Sequence, residues 1–114
     1  MRVSNIIGLP PPPTTKVGIS ALAGYQGELH WALVGLDIEE KSALLEKQIR
    51  LSLGETRLAR LSVLKFTTYG GVQDNPRSQD GATVDFKIFA QAPTREAFSV
   101  ENFINPVLDT IMCS

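Results

Sequence analysis

The sequence predicts an α+β fold, a two-layer sandwich in which a four-stranded, mainly antiparallel sheet carries two helices on one face in the order β-β-α-β-β-α. Three observations predict it. From Gly35 to Gly54, apolar residues recur at helical spacing, with Ile38, Leu45, Ile49 and Leu53 forming one stripe. Lys16 to Ala23, Glu28 to Gly35 and Ala82 to Ala92 instead alternate with a period of two, as half-buried strands do. A second helical stripe, Val100, Phe103, Ile104, Val107, Leu108 and Ile111, follows Ser99. Amphipathic helices need a flat apolar surface to lie on, and alternating strands supply one.

The chain has 114 residues, enough for one small domain that buries roughly two thirds of its unfolded surface. Its formal net charge is -1, so it lacks the basic footprint of a nucleic-acid or anionic-membrane binder. No apolar run reaches the roughly 20 residues of a membrane-spanning helix, and the N-terminus does not read as a signal peptide. The expectation is a cytoplasmic protein. With one cysteine, Cys113, and one histidine, His30, the chain can form neither an internal disulfide nor a Cys/His metal site, and no cofactor is expected.

Taken in order, residues 1–15 read as a proline-rich arm and residues 16–114 as a single α+β domain. Pro10 to Pro13 fix φ, remove backbone donors and favour polyproline II. Val17, Ile19 and Ala21 then share one face of a first strand, and Leu29, Trp31 and Leu33 one face of a second. Gly24 to Gly27 read as the hairpin turn between them. Asp37 is placed to cap the helix, Glu40 to complete a capping box, and Gly54 to close it. Leu58 to Thr68 reads as a third strand, apolar on both faces (Leu61 and Val63 against Leu64 and Phe66), and its uncovered face implies self-association. Tyr69 to Gly81 is a long polar loop, and Ala82 to Ala92 is the clearest strand. In the last helix Pro106 either kinks the chain or starts a new helix, with Asn105 as cap.

The loop Asn75 to Asp80 is the foremost site candidate. Arg77 offers a planar fork for a carboxylate or phosphate, and Ser78 and Gln79 add neutral donors; the same residues also suit plain turn chemistry. Gly24, Tyr25 and Gln26 are further ligand-binding candidates, since glycine lets a ligand approach the backbone. His30 points to solvent or to the uncovered sheet face, and with no second histidine or nearby cysteine it reads as an ordinary imidazole. Asp37, Glu39 and Glu40 disfavour anion binding at the helix start. No nucleotide-binding glycine pattern or nucleophile elbow is present, and the catalytic residues stay unassigned.

The runs Leu9-Pro-Pro-Pro-Pro-Thr-Thr-Lys-Val-Gly-Ile19, Gly24-Tyr-Gln26, Gly35-Leu-Asp-Ile-Glu-Glu-Lys41, Asn75-Pro-Arg-Ser-Gln79 and Asp85-Phe-Lys-Ile-Phe-Ala90 together resemble the acyclic terpene utilisation (AtuA-like) family. The resemblance covers the chain from about Gly8 onward. It implies a cytoplasmic protein of isoprenoid catabolism, found with enzymes that degrade branched isoprenoid acids as coenzyme A thioesters. Family members are several times longer, so the chain looks like a slice from the later part of their large N-terminal domain. Two functions follow as expectations. One is a portion of such a protein that contributes part of an acyl-thioester or anionic-ligand site, with an acyl-CoA-type small molecule as partner. The other is a non-catalytic interaction or structural module that associates through its sheet, as a homo-oligomer or by docking to the rest of the family domain.

Overall fold

Strand β3, Thr83–Ala92, forms the middle of the molecule because its inward residues alternate without interruption. Val84, Phe86, Ile88, Ala90 and Ala92 are all buried. The computed structural model describes residues 2–71 and 73–113; Met1, Val72 and Ser114, which the arm, loop and domain readings include, lie outside the described residues, as do the side chains of Met112 and Cys113. Strand β1, Tyr25–Val34, and strand β2, Val63–Tyr69, pair antiparallel with the two sides of β3, giving a three-stranded sheet in the order β1-β3-β2. Between β1 and β2 the chain runs through helix α1, Ile38–Leu58, so β3 is inserted between two strands that are parallel to each other.

The α1 stripe is buried as its spacing requires. Leu45, Ile49 and Leu53 pack with Phe86, Ile88, Ala90, Phe103 and Val107, and each such side chain is worth about 1.5–3 kcal/mol. On the wet side, Arg50 Nη2 lies 2.8 Å from Glu46, four residues back. The capping differs from expectation. Asp37 stands at the N-cap but in the left-handed region, φ 57°, and its side chain makes no cap bond; the helix opens instead with Lys41 N–H donating to the Asp37 carbonyl at 2.9 Å. Gly54 does leave helical geometry, at φ 66° and ψ 168°, yet the element resumes and continues to Leu58.

The four-stranded sheet is not formed. Residues 16–23, predicted as its first strand, pair with nothing among the described residues and are exposed throughout, Ile19 at 92% and Leu22 at 98%. The predicted turn Gly24 to Gly27 is mostly strand: Tyr25, Gln26 and Gly27 pair with Ala92, Gln91 and Ala90. The glycines have other uses. A Cβ on Gly24, at φ 132°, would lie 2.6 Å from the Ala92 carbonyl oxygen, and one on Gly27 would meet the Phe98 ring at 3.3 Å. Residues 2–24 therefore form one extended arm. It raises the radius of gyration to 21.0 Å, against about 13 Å for a compact chain of this length.

The third strand is also less apolar than its composition suggests. Leu58 belongs to α1, Leu61 precedes the strand and packs on the core, and Leu64 and Phe66 face α1. The outward positions are Val63, Lys65, Thr67 and Tyr69. After β3, the second helical stripe breaks into short turns. Ser99 accepts a hydrogen bond from Asn102 N–H at 3.2 Å, a π-helical turn spans Val100–Ile104, and helix α2 is only Asn105–Leu108. Pro106 sits in the first turn of α2, where its missing N–H costs nothing; Ile104, not Asn105, is the cap. Ser52 Oγ ties α1 to α2 by donating to the Pro106 carbonyl at 2.7 Å.

Ile49 is fully buried against this sheet. Ile49→Ala should cost about 2–5 kcal/mol, read as a fall in the denaturant midpoint at unchanged slope. An unchanged midpoint would place the α1 stripe elsewhere.

Candidate functional site

Helices cover one face of the sheet, and the other face collects the charged groups. Alternation sends Glu28 and His30 of β1, and Asp85 and Lys87 of β3, to the helix-free side, and the antiparallel register sets His30 across from Lys87 and Glu28 across from Phe89. The side chains meet diagonally. His30 Nδ1 lies 2.8 Å from Asp85 Oδ2, His30 Nε2 lies 3.5 Å from Glu28, and Lys87 Nζ lies 2.9 Å from Glu28. Lys87 also stands 5.7 Å above the Phe89 ring.

The contacts favour the charged forms of Glu28, His30 and Lys87. The hydrogen bond that His30 donates to Asp85, aided by Glu28, raises the His30 pKa above the ordinary imidazole value despite partial desolvation. Lys87, and after it His30, lowers that of Glu28, and Glu28 in turn raises that of Lys87. Both ring nitrogens of His30 face carboxylates, Nδ1 towards Asp85 and Nε2 towards Glu28. Among the described residues no group of three or more His, Cys, Asp or Glu side chains is placed to hold a metal ion. The arrangement can recognise a surface or a charged group.

The candidates read from sequence fall in two places. Gly24, Tyr25 and Gln26 line a cleft of about 290 Å³ together with Ala21, Leu22, Ser62 and Gln91, where the arm leaves the sheet. Arg77, Ser78 and Gln79 lie on the loop that returns to the other end of β1, where Gly35 N–H donates to the Ala82 carbonyl at 3.1 Å. Ser78 Oγ accepts from Gly81 N–H at 3.2 Å and the Gln79 carbonyl accepts from Thr83 Oγ1 at 2.7 Å, so both serve the turn. Arg77 is exposed and makes no ion pair among the described residues. The two groups are separated by the length of β1, about 30 Å for its ten residues, so one small ligand cannot touch both. The ion-pair cluster was not foreseen as a site. Its only sequence signal is that all four residues occupy outward positions of alternating strands; their meeting depends on a register between residues 55 apart, such as His30 and Asp85.

Comparison with protein-family models matches residues 1–114 to the family described as acyclic terpene utilisation family protein AtuA. Among curated proteins and among solved structures no match is found.

The cluster makes stability pH-dependent in a defined direction. A histidine whose folded pKa is raised contributes stability below its ordinary value of 6.5 and loses it as pH rises through the folded value; Glu28, lowered from 4.5, contributes above 4.5 and loses it as pH falls. Stability from this face is therefore greatest between about pH 4.5 and 6.5. The His30 midpoint followed by NMR should lie above 6.5 and move down in Asp85→Asn. A midpoint indifferent to that substitution would contradict the pairing.

Proposed function

The chain belongs to the acyclic terpene utilisation (AtuA) family, and we propose that within it the chain serves as a non-catalytic docking module that associates through its sheet. The observation that carries this reading is the arm. Val3, Ile6, Ile7, Leu9, Val17, Ile19 and Leu22 all stand exposed on residues 2–24, while the body closes its core without them. A free arm of that composition is an unfilled interface, because single exposed apolar residues are ordinary but a contiguous set is not. The shallow clefts and the fully engaged His30 support binding over turnover. A cytoplasmic setting within isoprenoid catabolism is part of the same proposal, and no helix among the described residues is long and apolar enough to cross a membrane.

A second reading rests on Arg77. Its exposed guanidinium has no ion-pair partner among the described residues and suits a phosphate or carboxylate, so the loop can form part of an acyl-thioester or anionic-ligand site, with an acyl-CoA-type molecule as ligand. One exposed arginine contact is worth about 1 kcal/mol or less, roughly a fivefold effect on affinity, whereas millimolar binding needs about 4 kcal/mol, so the loop by itself binds no tighter than millimolar.

Sedimentation velocity over a concentration series should show reversible association of the purified chain, and assay with an isoprenoid acyl-CoA should show no turnover. A clean monomer at every concentration would remove the docking reading, and measurable turnover would remove its non-catalytic part. For the second reading, calorimetric titration with the same thioester should give affinity no tighter than about millimolar, falling roughly fivefold in Arg77→Ala; affinity indifferent to that change would move the ligand off the loop.

A further inference from the structure

Resting on the docking reading, we infer that the arm's occupant site is the open edge of β1 in a second copy of this chain: residues 16–23 of each copy add as a fourth, antiparallel strand to the sheet of the other. The donor segment has a strand's pattern but no strand's partner. Val17, Ile19 and Ala21 alternate with Gly18, Ser20 and Leu22, and all are exposed. The arm leaves at the Ala92 end of β3, where Ala21 and Leu22 share a cleft with Ser62 and Gln91, and does not run along the free edge of β1. Tyr25 to Gly27 are already paired with β3, and Gly24 is pressed against the Ala92 carbonyl, so no residues remain to turn the chain back onto β1.

The sheet has two open edges, and they are not alike. At β2, Lys65 occupies the outward row, and the Arg50 guanidinium lies 5.1 Å from the Phe66 ring centre on the helix side, so that edge is guarded. At β1, Leu29, Trp31 and Leu33 are half-buried on the helix side, as Leu64 and Phe66 are at β2, and the outward row holds Glu28 and His30, but among the described residues no cation covers the Trp31 ring as Arg50 covers Phe66. An added strand with Val17, Ile19 and Ala21 across from Leu33, Trp31 and Leu29 would extend the core by one row and satisfy the edge's backbone groups. The opposite row then places Ser20 and Gly18 beside His30 and Ala32, so no like charges meet. Each copy offers one donor and one acceptor. A two-fold pair leaves neither unused, and the assembly closes.

The register that sets Val17 across from Leu33 also sets Gly18 across from Ala32. In a Cys113→Ser background, full-length chains carrying Gly18→Cys are mixed with chains carrying Ala32→Cys and oxidised; the mixture should give a covalent dimer that neither variant gives alone. Adding Ile19→Lys to the Gly18→Cys chain should abolish the cross-link and shift the chain to monomer in sedimentation, while its thermal unfolding stays cooperative, because Ile19 makes no contribution to the core of the single chain. Association of the unsubstituted chain without the mixed cross-link would overturn strand exchange and leave the docking reading standing. Absence of association would remove both.

Discussion

The packing of the α1 stripe on the inward row of β3 is the contact on which the rest of the structure depends. Leu45, Ile49 and Leu53 meet Phe86, Ile88 and Ala90, and Phe103 and Val107 close over the same cluster. Because β3 has a neighbour on both sides, its alternation fixes which residues of β1 and β2 face the helices and which face away. The charged face is a consequence of this. Once Phe86 and Ile88 are committed inward, Asp85 and Lys87 point outward, and the β1 register brings Glu28 and His30 to them.

This division also orders the functional readings. The sole histidine lies exposed in a lattice of ion pairs on the helix-free face. The large apolar residues left exposed are most numerous on the arm, with others on α1 (Leu44, Leu51) and in the C-terminal turns (Val100, Leu108). Family membership then supplies the biological setting, acyclic terpene utilisation, without requiring that this stretch of chain perform the reaction.

Much of the body was legible in the sequence. The α1 stripe, the β3 alternation and the Ser99 cap each rest on a local rule that tertiary structure did not override. The misreadings have physical causes. Alternation at Lys16 to Ala23 marks a segment suited to a sheet but does not say whose sheet, and Gly24 and Gly27 serve close approach to Ala92 and Phe98 rather than a turn. Leu61 and Leu64 suggested a strand apolar on both faces, yet Leu61 lies outside the strand. The Glu28, His30, Asp85 and Lys87 cluster was hidden because pairing between distant strands is invisible to local pattern. The Arg77 loop was readable as a turn, and Ser78 and Gln79 do act as turn residues.

Amide hydrogen exchange, read residue by residue in dilute and in concentrated solution, tests most directly whether the arm lies outside its own sheet. In dilute solution β3 should be the most protected strand, while residues 16–23 and the outward amides of β1 exchange freely; on concentration those two sets should become protected together. Protection of residues 16–23 that is already present at high dilution and does not change with concentration would mean that the fourth strand forms within one chain, and would contradict the account.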